Sequence, residues 1–187
     1  MLRNRDLVPA PRQKRSWHKV ILLVVLGVVV AFLFKLILNW LWFFPIVIAD
    51  DQMEPALKVG EKVYVNRRVG VEDIKKGDVL LVRHPAAEGL YLIRRVAGLA
   101  GERVSLRDGT VFVNDRPLDT PAEFEIRKRR AAPPRLPARL HPRDNTPLLK
   151  VPAKRFYLLA DNRRAALDSR VLGAFDAKLI VGRVIKW

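Results

Sequence analysis

Residues 46–65 read IVIADDQMEPALKVGEKVYV, and the character of the chain changes across them. Ahead of Pro45 the sequence is almost continuously apolar. Beyond it, apolar residues recur in short alternating runs, the pattern of half-buried strands. The fold class follows from this switch: mainly β, with one N-terminal transmembrane helix ahead of an antiparallel β-sheet domain. Asp50 and Asp51 are adjacent, so in an extended backbone their carboxylates face opposite ways and cannot share a proton as an acid pair does.

Towards the N-terminus, residues 20–44 are apolar except for Lys35 and Asn39. At ~1.5 Å per residue such a helix can cross a hydrocarbon layer of ~30 Å. Lys35 lies ~22 Å along it, close enough to the far interface for its ammonium to snorkel there. Trp17 at one end and Trp40, Trp42, Phe43 and Phe44 at the other are placed as aromatic belts. A cleaved signal peptide would have an apolar core of ~7–15 residues ending in small side chains, and this run is longer and ends in aromatics. Residues 1–19 hold six basic residues against the single acid Asp6, with Pro9 and Pro11 breaking any helix. This basic arm is expected in the cytoplasm, with a single pass through the inner membrane and an extracytoplasmic C-terminal domain over residues 45–187.

Towards the C-terminus, strands are expected at 62–66, 79–83, 90–97, 102–106, 110–113, 156–159 and 181–185, with Asp108-Gly109 turning a hairpin. Residues 121–147, proline-rich and carrying Arg127, Lys128, Arg129 and Arg130, read as a surface loop. The 187 residues allow one anchor and one modest domain. The absence of cysteine removes disulfides, a thiol nucleophile and thiolate metal sites, and no metal or other cofactor is implied. The net charge is +16, of which about +10 falls on the outer domain. That location argues against nucleic acid as the partner and leaves membrane lipid, which the basic loop can touch at ~1 kcal/mol per residue.

Three segments, in order after the anchor, resemble type I signal peptidases, which use a serine and a lysine. The first, quoted above, is similar to I-P-S-x-S-M-x-P-T-L-x-x-G-D through Met53, Pro55, Leu57 and Gly60. The second joins Lys76-Gly77-Asp78-Val79 to Ile93-Arg94-Arg95-Val96-Ala97-Gly98. The third is Asp161-Asn162-Arg163 with Asp168-Ser169-Arg170 and Gly173. The resemblance implies a signal-peptidase-like fold and a role in removing signal peptides from exported proteins. It also places Gln52 at the nucleophile's position, Arg94 at that of the general base, Asp50 at the oxyanion-hole serine and Ala166 at the serine that holds the lysine.

An amide does not form an acyl-enzyme, and a guanidinium keeps its proton and cannot act as a base. A carboxylate at position 50 repels a developing oxyanion. The expectation is a pseudoenzyme in which Gln52 accepts a hydrogen bond from Arg94 and Asp50 pairs with it as a carboxylate. Substrate pockets implied by the resemblance would be walled by Ile46, Ile48, Met53, Leu57 and Ile93, residues that equally suit a core. Asp168 and Arg170 are expected to form a scaffold ion pair. Retained binding of signal peptides or preproteins, of the translocation machinery or of an active paralogue is the expected role. A working peptidase with an unconventional site and a lipid-surface adaptor are the alternatives. Among serines, Ser105 and Ser169 are the other hydroxyl candidates in the β domain.

Overall fold

A computed structural model describes residues 17–118, 144–164 and 167–185. The chain divides into two compact units at the junction of Leu41 and Trp42.

Helix α1, Trp17–Trp42, contains no proline and is apolar around its whole circumference, so it has no polar face to turn to water. The side chains of residues 17–38 are exposed, and the stretch Trp17–Leu38 is long and apolar enough to cross a membrane. The helix was expected to reach residue 44 but stops at Trp42. Pro45 disfavours helical backbone at Phe44, and Phe43–Val47 instead forms strand β1 at a sheet edge, where a residue without an N–H is tolerated.

The second unit is built from antiparallel strands. After β1 come β2 (Lys62–Asn66), β3 (Val79–Arg83), β4 (Tyr91–Gly98), β5 (Arg103–Arg107), β6 (Thr110–Val113) and β7 (Arg116–Pro117). Then follow β8 (Thr146–Lys150), β9 (Arg155–Leu159), the one-turn helix α2 (Ser169–Leu172), β10 (Phe175–Asp176) and β11 (Ile180–Ile185). One sheet has the order β1-β2-β11-β3-β4-β9-β10 and the other β7-β6-β5-β8. Asp108 and Gly109, at φ 48° and 71°, close the β5–β6 hairpin with Arg107 opposite Thr110. Two positive φ values suit the right-handed twist of the flanking strands.

The seven expected strands are present with ends shifted by at most a residue or two. Strands β1, β7, β8 and β10 and helix α2 were not anticipated. Strands β7 and β10 are too short to show any alternation. Thr146 and Pro147, expected in the loop, open β8, whose side chains are largely exposed and so leave no apolar signature. The rest of the proline-rich loop through residue 143, with its basic cluster, and arm residues 1–16 lie outside the described residues.

Three apolar clusters hold this unit together. One joins the two sheets through Ala97, Val104, Leu106, Val111, Tyr157 and Leu159. A second gathers Leu80, Val82, Leu92, Val96 and Leu158 from the larger sheet. The third seats the segment that follows β1: Ile48, Met53 and Leu57 pack on Val63, with Ile46, Val79, Ile93 and Val184 against them. Each fully buried side chain of this size contributes about 1.5–3 kcal/mol. At Gly182 a Cβ would lie 2.4 Å from the Asn66 carbonyl oxygen, so glycine there lets β11 approach β2 closely enough to complete the sheet.

Candidate functional site

Arg94 lies mid-way along β4, in the alternating set Leu92, Arg94 and Val96, opposite Leu80 of β3. Its side chain is 0 % exposed. Such burial must be met by acceptors, and three are present. Nε donates to the Leu167 carbonyl at 2.9 Å, Nη1 to the Ile93 carbonyl at 2.5 Å, and Nη2 to Gln52 Oε1. Burial lowers the proton affinity of Arg94, the carboxylates of Asp168 and Asp50 raise it, and the Arg170 guanidinium lowers it. The side chain remains a cation at neutral pH, as guanidinium does throughout proteins.

Gln52 is held from its other side by Asp50. Oδ2 of Asp50 accepts from the Gln52 amide Nε2 at 2.9 Å, and Oδ1 accepts from the Gln52 backbone N–H at 3.1 Å. The expectation that Gln52 accepts from Arg94 agrees with this geometry. Direct pairing of Asp50 with Arg94 does not: among the described residues no ion pair joins them, and the carboxylate reaches the guanidinium through the intervening amide. The amide carries the interaction by donating with nitrogen and accepting with oxygen, which a hydroxyl or carboxylate at position 52 would do less well.

The final motif segment closes the site. The Asn162 N–H donates to the Gln52 carbonyl at 3.0 Å, and its side-chain amide reaches Asp51 O and Oδ2, both at 3.3 Å. Asp161 receives Arg95 in a two-point contact, Nε to Oδ1 at 2.8 Å and Nη2 to Oδ2 at 2.5 Å, while Arg95 Nη1 donates to the Gly77 carbonyl at 2.7 Å. Neither the Arg95–Asp161 link from β4 nor the contacts of Asn162 with Gln52 and Asp51 were foreseen. The signal available was the pair Arg94-Arg95 on one strand, since neighbours point to opposite faces and each needs its own acceptor.

Asp168 and Arg170 pair as expected, with both side chains 0 % exposed and Oδ2 to Nη2 at 2.8 Å. Asp168 also caps α2 by accepting from the Arg170 N–H at 3.0 Å and accepts from the Ala160 N–H at 3.2 Å. The Ser169 hydroxyl oxygen accepts from the Leu158 N–H at 2.8 Å, a structural task on β9. Ser105 is buried, and its hydroxyl has no hydrogen-bond partner among the described residues. Ala166 lies outside the described residues.

Of the five candidate pocket residues, Ile48, Met53 and Leu57 are buried within the third cluster, and Ile46 and Ile93 are half-buried against it. The first three therefore serve as core, and only Ile46 and Ile93 retain surface for a bound chain to touch.

The structure thus joins residues 50–53, 93–95, 161–162 and 167, parts expected to meet in a peptidase of the serine–lysine class, through the buried Arg94 and its neighbour Arg95. The family model for "Signal peptidase, peptidase S26" matches residues 17–187, and the chain belongs to that family. It is 31% identical over 169 residues to Signal peptidase I S of Bacillus subtilis (strain 168), covering 89% of this chain and 84% of that protein. Identity to Signal peptidase I of Bacillus licheniformis is 28% over 173 residues, covering 91% and 87%. For Signal peptidase IB of Staphylococcus aureus (strain COL) it is 30% over 171 residues, covering 89% and 88%. The crystal structure of a signal peptidase I from Enterococcus faecalis V583 superposes with a TM-score of 0.46 at 23% identity, covering 59% of this chain and 95% of that one.

Proposed function

We propose that this chain is a membrane-anchored signal peptidase I homologue that does not cleave. Instead it binds exported chains, the translocation machinery or an active paralogue at the outer face of the membrane. The observation that carries this reading is the hydrogen bond from Arg94 Nη2 to Gln52 Oε1, in a site where the resemblance calls for a neutral amine beside a hydroxyl. Acyl transfer needs a nucleophile that can lose a proton and a base that can take it. An amide and a guanidinium supply neither. Asp50 adds a third obstacle, because its carboxylate already occupies the residue-52 backbone N–H, a donor at the place where a developing oxyanion would need one.

The anchor is α1, and the basic arm ahead of it supports a cytoplasmic N-terminus with the β domain outside. The half-buried surfaces of Ile46 and Ile93 are what remains for an extended apolar segment to touch.

The test is cleavage of a preprotein by the detergent-solubilised full chain. Wild type is expected to give no product. Gln52→Ser with Arg94→Lys is expected to stay poor while Asp50 holds the backbone donor, and the triple variant adding Asp50→Ser is expected to gain cleavage, on the order of 10²–10³-fold over the double variant. Processing by the wild-type protein, blocked by a serine-directed acylating reagent, would instead establish a working peptidase with a different nucleophile.

A further inference from the structure

The end of the first hairpin, where α1 passes into the sheet, carries four side chains in two stacked pairs. The Arg67 guanidinium lies 4.3 Å from the centre of the Phe44 ring, and that of Arg68 lies 5.0 Å from the Trp42 ring. The backbone fixes both. The Arg67 N–H donates to the Trp42 carbonyl at 3.0 Å, and the Arg68 N–H to Asn66 Oδ1 at 2.8 Å. Register places Phe43 opposite Asn66 and Phe44 opposite Val65, so the aromatic strand end and the paired arginines share one end of the hairpin. Both arginines are exposed, and among the described residues neither is paired with a carboxylate.

We propose that Trp42, Phe44, Arg67 and Arg68 form a collar that binds the phosphate groups of anionic phospholipids and docks the β domain on the bilayer surface where α1 emerges. This rests on the membrane-anchored reading of α1. A guanidinium lying on a ring presents its N–H donors at its edge, where they suit a phosphate oxygen pair. Tryptophan and phenylalanine beneath it belong at headgroup level, half in hydrocarbon and half wet. The occupant is set by continuity: Trp42 is both the ring under Arg68 and the last residue of the apolar helix. Any bilayer that holds α1 brings its headgroups to this collar.

The cysteine-free chain accepts one label, at Pro45→Cys on the exposed side of β1. The labelled full chain is reconstituted into phosphatidylcholine vesicles with or without phosphatidylglycerol. Flotation reports insertion, and quenching of the label by headgroup nitroxide lipids reports docking. Quenching is expected to be stronger with phosphatidylglycerol. Arg67→Gln with Arg68→Gln is expected to lower the docked-to-undocked ratio on the order of thirtyfold. Lys154→Gln with Arg155→Gln, the same charge change at the start of β9 towards the far side of the larger sheet, is expected to leave it unchanged. Equal loss in both double variants, or a wild-type label that floats unquenched, overturns the collar alone. Loss of quenching on adding millimolar inorganic phosphate at constant ionic strength makes this a free-phosphate site and also overturns it. Failure of the unmutated chain to float overturns the membrane reading, and the collar with it.

Discussion

At position 94 a guanidinium sits in a strand interior, satisfied by two carbonyl oxygens and one amide oxygen. Removing an acceptor from a buried cation costs more than removing the cation itself, because the stranded charge keeps its desolvation penalty. Gln52→Ala is therefore expected to destabilise by about 2–3 kcal/mol in urea unfolding. Arg94→Met should cost less, and the double variant should be little worse than Arg94→Met alone; additive losses would show that the two side chains are not coupled. Tyr157 offers a pH test. Burial raises its phenol above the ordinary value, opposed in part by a hydrogen bond with Thr146; Asp168 pushes it further up, and Arg170 and Arg163 pull it down. A raised folded-state value means the native protein holds this proton more tightly than the unfolded chain does. Its contribution is present in full below the unfolded phenol's pKa of about 10 and is lost as pH rises through the folded value. Thermal stability of the wild type should fall more steeply above about pH 10 than that of Tyr157→Phe, measured by melting across that range.

At the scale of elements, the turn carrying Asp168 joins α2 to β9. Its carboxylate serves the N–H at the start of the helix, the Ala160 N–H and the Arg170 guanidinium together. Asp168→Asn retains the shape but leaves Arg170 as a buried, uncompensated cation, with an expected loss of about 3–5 kcal/mol. Asp168→Asn with Arg170→Met should recover a large part of it, and circular dichroism melts separate the two cases. Elements of this kind differ in how far the sequence reveals them. Strands β2, β3, β4, β5, β6 and β9 were legible because one or both faces are buried, which writes alternation or an apolar run into the residues, and half-buried β11 because its residues are mostly β-branched. Strand β1 was not, because its two phenylalanines continue the apolar helix without a break in composition, and only Pro45 marks the change.

For the whole molecule, the two units call on different forces. Helix α1 offers a membrane apolar area, whereas the β domain carries a net charge of about +10 whose attraction to anionic surfaces salt screens. The full chain should stay with vesicles through a wash at about 1 M salt, where the Debye length is about 3 Å. A chain lacking residues 1–42 should be released by the same wash, as sedimentation would show. Retention of the truncated chain would mean that apolar surface on the β domain also inserts.

The sequence by itself determined the long apolar N-terminal helix, the antiparallel β class and the family, because these depend on residue type and on periodicity along the chain. Tertiary structure alone decided which groups meet. That Gln52 rather than Asp50 receives Arg94, that Asp161 is taken by Arg95, and that Met53 and Leu57 are core all depend on how the segments after β1 and β9 pack on the sheet. That packing brings together residues 42 to 73 positions apart, and a buried charge or amide settles on whichever acceptor lies within about 3 Å.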